Sequence, residues 1–118
     1  MVYLTDVEYV VGNIMERYIG RIILSNPTII ADEMKAGGWK SYILDEDNAK
    51  LLSSLFAVKI EANPELININ KIPDSYDHIV VYANIDKKTK QVKFTIPIPR
   101  LYSEKDWSGN IELFPERL

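Results

Sequence analysis

At 118 residues the chain can bury a core as a single domain, 1–118, without staples from disulfides or metals. Apolar residues make up 47% and charged residues 26%, and the formal charge of −3 with a pI near 5.1 argues against a general nucleic-acid binder, whose phosphate contacts need a basic surface. With no cysteine and one histidine, His78, thiol nucleophiles, disulfides and the usual zinc ligand sets are excluded.

Val2 to Leu4 reads as a short buried strand that ends at Thr5-Asp6. Asp6 suits a helix cap, and Val7, Val10, Val11, Ile14, Met15, Tyr18 and Ile22 then fall on one helical face. Gly12 inside that helix costs about 1 kcal/mol against alanine. "RIIL", Arg21 to Leu24, either finishes the helix or begins a strand, and its pattern fits both. In "SNPTIIADEMKAGG", Asn26 is a good N-cap, Pro27 fits the first helical position, and Gly37-Gly38 ends the helix. "WKSYIL" alternates large apolar and polar side chains, which predicts a strand. Ala49, Leu51, Leu52, Leu55, Phe56 and Val58 then form an apolar stripe at helical spacing, capped by Asp45 or Asp47. Acids in that first turn favour the helix dipole.

After Pro64 the period changes to two. "ELININKI", "DHIVVYANI" and "QVKFTIPIP" read as strands, the last two forming a hairpin around Lys87-Lys88. Pro97 and Pro99 place the end of the third at a sheet edge, because proline cannot donate to a central ladder. "NIELFPERL" is a candidate for one more short strand. The expected class is α/β, with α+β as the alternative: one compact domain in which a mixed β-sheet packs with two or three helices. No apolar run approaches the roughly 18 residues that span a bilayer, and "MVYLTDVEYV" carries an acid where a signal peptide would be basic. The expectation is a cytoplasmic protein without membrane or cofactor. The absence of cysteine fits an intracellular or a thermophile setting.

Few residues suggest chemistry directly. Asp45, Glu46 and Asp47 suit a hard cation such as magnesium, but a capped helix with a solvated acidic turn explains them more simply. No metal site is therefore expected. His78 precedes a strand, and the adjacent Asp77 would face the other side, so nothing orients it as a general base. Lys87, Lys88 and Lys90 offer anion contacts, although a turn kept soluble by lysines accounts for them. Tyrosines and tryptophans do not interleave regularly with basic residues, so no stacking platform is indicated. The chain carries no glycine-rich phosphate loop, nucleophile elbow or metalloprotease helix.

Taken in order, "VYLTD", "GNIM", "DNAKLLSSLFAV", Asn63-Pro64 with "ELINI", "HIVVYANI" and "IELF" resemble the viral ring nucleases. These are small α/β proteins of archaeal viruses and phages that act as type III anti-CRISPRs. In that family two subunits form a cleft that binds cyclic tetra-adenylate. A histidine protonates the leaving 5′ oxygen while the ligand's own 2′ hydroxyl attacks phosphorus. Here Asp45 stands where that histidine is expected, Pro64 replaces the arginine after Asn63, and Asp86-Lys87 occupies the region of a second arginine. An exposed aspartate, with a reference pKa of about 3.9, is ionised at neutral pH and cannot inherit the general-acid role.

The resemblance thus implies a diverged ring-nuclease-like protein of a virus or mobile element, homodimeric and active in the host cytoplasm against antiviral defence. It implies binding of a cyclic oligoadenylate or similar small ligand at a dimer cleft, without efficient cleavage. Thr5, Asp6, Asn13, Asp45, Asn63 and Lys87 are the implied ligand-binding residues, with no catalytic residue among them. The alternative is a small acidic viral protein that inhibits a host defence complex by direct protein–protein contact, a role that net negative charge suits.

Overall fold

The strand at the centre of the parallel half of the sheet explains the arrangement. β1 (Val2–Thr5) sends Val2 and Leu4 to one face and Tyr3 and Thr5 to the other, and all but Tyr3 are fully buried. A strand buried on both faces needs cover from two layers and partners on both edges. In the computed structural model, which describes residues 1–7, 18–68, 71–73, 77–99 and 110–113, it has partners on both edges.

The remaining strands are β2 (Tyr18–Leu24), β3 (Trp39–Tyr42), β4 (Ile79–Ile85), β5 (Val92–Pro99) and β6 (Asn110–Leu113). They form one mixed sheet in the order β3-β1-β4-β5-β2-β6. β3, β1 and β4 run parallel, with Tyr3 beside Lys40 on one side and Val80 on the other. The pairings β4–β5, β5–β2 and β2–β6 are antiparallel. Two helices, α1 (Thr28–Gly37) and α2 (Glu46–Phe56), cover the Leu4 face. Their Ile30, Met34, Ala49, Leu52 and Phe56 join Ile22, Leu24, Val81, Phe94 and Ile96 in one core, where the Phe56 and Phe94 rings lie 5.6 Å apart. The mixed α/β architecture expected from the sequence is the one found.

The caps follow local chemistry. Asn26 Oδ1 accepts from the Thr28 backbone N–H at 2.9 Å and from its hydroxyl at 2.7 Å, while Pro27 already has helical φ −76°. Gly38 closes α1 at φ 79°, its N–H donating to the Met34 carbonyl. Of the two aspartates that suit the cap of α2, Asp45 takes the role, accepting from the Asp47 and Asn48 amides. Ala57 ends the helix in the left-handed region at φ 55°.

Four expectations need correction. Tyr18 and Ile22 lie in β2, not on a helical face; β-branched isoleucines here have β5 and β6 as partners, so a ladder satisfies their backbone. Val7 is not helical, and Val10, Val11, Gly12, Ile14 and Met15 of the expected first helix lie outside the described residues. "ELININKI" is not a strand in its described part. Both edges of β4 are taken, and Ile67 and Ile72 are buried from irregular backbone instead. β5 is not an edge strand, since it lies between β4 and β2. Its prolines are still tolerated because the β4 ladder stops at Tyr82–Thr95, leaving only β2 alongside Pro97 and Pro99. Finally, Leu55 is 42% exposed and Val58 lies past the end of α2, so the buried stripe is narrower than its apolar composition suggests. No helix among the described residues is long and apolar enough to cross a membrane.

These differences set a stability test. Leu52→Ala should cost about 2–5 kcal/mol by urea denaturation, since the side chain is fully buried. Leu55→Ala and Lys50→Ala should each cost about 0.5–1 kcal/mol at most. Equal losses at Leu52 and Leu55 would mean that the buried face of α2 is misassigned.

Candidate functional site at the carboxyl ends of the parallel strands

Because β1, β3 and β4 run parallel, their carboxyl ends emerge on one side of the sheet, where open α/β sheets bind ligands. Thr5, the last residue of β1, is fully buried, and its hydroxyl oxygen accepts from the Val7 amide at 3.1 Å. The next residue, Asp6, holds three donors. Oδ1 accepts from the Leu44 amide at 2.9 Å; Oδ2 accepts from the Asp45 amide at 3.2 Å and from Asn48 Nδ2 at 3.0 Å. One carboxylate therefore ties the end of β1 to the entry of α2.

Asp45 is committed on both sides. Oδ1 accepts from the Asp47 amide at 2.8 Å and the Asn48 amide at 3.1 Å, which is the helix cap. Oδ2 receives Lys87 Nζ at 2.9 Å. Lys87 comes from the turn between β4 and β5, which Asp86 builds by accepting from the Lys88 and Thr89 amides at 2.9 and 3.4 Å. Those amides hold the Asp86 carboxyl below its ordinary range. The Lys87 hydrogen bond does most to depress Asp45, with the helix amides of Asn48 and Asp47 adding to it. Reciprocally, Asp45 raises Lys87, and the fields of Asp47 and Asp6 reinforce the shift.

Three of the residues that the sequence singled out, Asp6, Asp45 and Lys87, therefore meet, and Thr5 lies beneath them. Asn63 serves a neighbouring purpose. Its backbone N–H donates to the Ile43 carbonyl at 2.7 Å, Nδ2 donates to the Ser41 carbonyl at 2.9 Å, and Oδ1 accepts from the Glu65 amide at 3.0 Å. Ser41 Oγ adds a bond to the Glu61 carbonyl at 2.6 Å. The 61–65 segment is thereby laid along the outer edge of β3, which occupies a strand edge that would otherwise invite pairing. Asn13 lies outside the described residues. His78 is at the opposite, amino end of β4, where Nδ1 sits 3.0 Å from the Tyr3 hydroxyl and the two rings stack at 6.0 Å.

Sequence reasoning missed Asn48. Its position three residues after the Asp45 cap is the available signal, because that spacing returns a side chain to the helix entrance. Chemically, the cluster offers carboxylate acceptors and one ammonium. Among the described residues, no set of three or more histidine, aspartate or glutamate side chains is arranged to hold a metal ion.

The ion pair has a defined pH signature. A carboxylate with a depressed folded pKa contributes stability above its unfolded value, near 3.8, and loses it as pH falls through the folded value. A raised lysine contributes below its unfolded value, near 10.5, and loses it as pH rises through the folded value. The melting-temperature difference between the native protein and Lys87→Met should therefore be largest between about pH 5 and 10 and shrink on both sides. A difference independent of pH would mean that Lys87 acts through its methylene stem alone. Asp6→Asn should cost about 1–3 kcal/mol, because the introduced amide presents N–H groups to at least one of the three donors.

No protein-family model, curated protein or solved structure matches the chain.

Proposed function

We propose that the chain is a diverged ring-nuclease-like protein of a virus or mobile element. In this reading it binds a cyclic oligoadenylate or a similar small ligand at a cleft completed by a second copy, without cleaving it efficiently. The observation that carries the reading is the meeting of Asp6, Asp45 and Lys87. These residues are 39 and 42 positions apart in the hydrogen bonds that join them, and the resemblance assigned all three to one site from sequence order alone. The strand-end position agrees with where this class of sheet binds ligands.

Weak or absent cleavage follows from the electrostatics. Asp45 occupies the general-acid position of the resemblance but is held ionised by Lys87, so it has no proton to give to a leaving oxygen. It also occupies Lys87, the cation of the cluster best placed to meet a phosphate. Two substitutions separate these effects. Asp45→Asn removes the charge and frees Lys87 without supplying an acid, so it should bind cyclic tetra-adenylate more tightly in calorimetry and form no product. Asp45→His frees Lys87 and adds an imidazole with a reference pKa of about 6.5, and general-acid assistance is typically worth about 10²–10⁴-fold. Chromatography should then detect cleavage by the histidine variant alone. No binding heat from any of the three proteins, each folded, would end the reading, as would a clean monomer by light scattering at tens of micromolar.

A second reading has its own observation. Asp45, Asp47 and Asp6 all act on the Lys87 ammonium, and Glu46 lies in the same first turn of α2, so carboxylates outnumber the lysine at this end of the molecule. Such a surface suits contact with a basic channel of a host defence complex. Glu46→Gln with Asp47→Gln would weaken inhibition of such a complex and leave binding of a cyclic nucleotide intact.

A further inference from the structure

A concavity lies beside the same hairpin. Ser25 just past β2, Leu55 on α2, and Lys90, Gln91, Val92 and Lys93 at the start of β5 line an open groove of about 410 Å³. That size falls within the range of small-ligand sites. Its floor is apolar, formed by the exposed side of Leu55 and by Val92, which packs against the core. Its rim is cationic. Among the described residues the ion pairs are Lys59–Glu61 at 3.4 Å and Lys87–Asp45 at 2.9 Å, and neither Lys90 nor Lys93, both in the groove's lining, takes part in one, in a chain of net charge −3.

The backbone adds an independent sign. The Lys90 N–H donates to the Asp86 carbonyl at 2.8 Å and the Asp86 N–H to the Gln91 carbonyl at 2.9 Å, which closes the turn with Lys90 at φ 62°. Glycine or asparagine is favoured at such a left-handed hairpin position, because a longer side chain is strained there. A lysine at that position retains strain that glycine would relieve, and the side chain that glycine lacks points to a use.

We propose that this groove binds a small organic anion that carries a planar or apolar body. Lys90 and Lys93 hold the phosphate or carboxylate, Leu55 and Val92 receive the body, and Ser25 and Gln91 supply hydrogen bonds at the rim. The site is separate from the strand-end cluster, because Lys87 turns to Asp45 and does not line the groove. It stands whether or not that cluster binds a cyclic nucleotide.

Phenyl phosphate is a suitable probe, with inorganic phosphate testing charge alone and phenol testing the body alone. Titration followed by amide chemical shifts should move Ser25, Leu55 and Lys90 to Lys93 with phenyl phosphate, and each half-probe should bind at least fivefold more weakly. Lys90→Gln combined with Lys93→Gln should weaken phenyl phosphate at least tenfold. Lys88→Gln, on the same turn but outside the groove, should leave affinity within twofold. Lys90→Gly should weaken binding while raising the melting temperature, a pair of changes that lost folding does not produce. Equal weakening by Lys88→Gln would reduce the effect to the turn's general charge and overturn the proposal. Absence of groove shifts at millimolar phenyl phosphate in the folded protein would overturn it as well.

Discussion

The carboxylate of Asp6 is the constraint on which the strand-end half of the molecule depends. Parallel strands cannot be joined by a tight turn, so β1, β3 and β4 are brought together through long crossovers whose ends must be fixed in space. Asp6 does this for the crossover that carries α2. It satisfies the Leu44 and Asp45 amides just before the helix and holds Asn48 within the first turn. These donors gain a charged acceptor, a stronger partner than a neutral carbonyl. With the entry of α2 held, Asp45 is positioned to cap the helix and to meet Lys87 from the β4–β5 turn. Ala49, Leu52 and Phe56 then descend onto the sheet in register with Phe94.

Charge is distributed on the same scaffold with a clear division. The strand-end side concentrates carboxylates, and its lysine is consumed by an ion pair. An exposed ion pair of this kind adds little to stability. Beside the hairpin, Lys90 and Lys93 line a groove with Leu55 and Val92 and, among the described residues, take part in no ion pair. A single turn thus presents one lysine to an acidic cluster and two to an open groove.

The outer edge of the sheet shows a related economy. β3 is short, carries Lys40 over the Tyr42 ring at 5.2 Å, and has carbonyls of Ser41 and Ile43 engaged by Asn63. All three features discourage edge-to-edge association. The residue that the resemblance placed at a ligand site thereby also fixes the chain that follows α2. Its substitution would disturb the edge of β3.

What the sequence determined by itself was the set of local decisions. The Asn26-Pro27 start and Gly37-Gly38 stop of α1, the acidic cap of α2, the lysine turn between β4 and β5, and the buried run of β4 all rest on short-range chemistry. Caps, glycine conformations and alternation are satisfied within a few residues of where they are written. Tertiary structure decided what depended on partners. Arg21 to Leu24 became a strand because β5 and β6 flank it, and Pro97 was accepted inside the sheet because the pairing of β5 with β4 ends at Thr95. Leu55 stayed exposed because the core ends at Leu52 and Phe56. The site divides in the same way. The resemblance in the sequence nominated Asp6, Asp45 and Lys87 together. Only parallel pairing of β1, β3 and β4, which sends three distant chain ends to one edge, brought their charges within hydrogen-bonding reach.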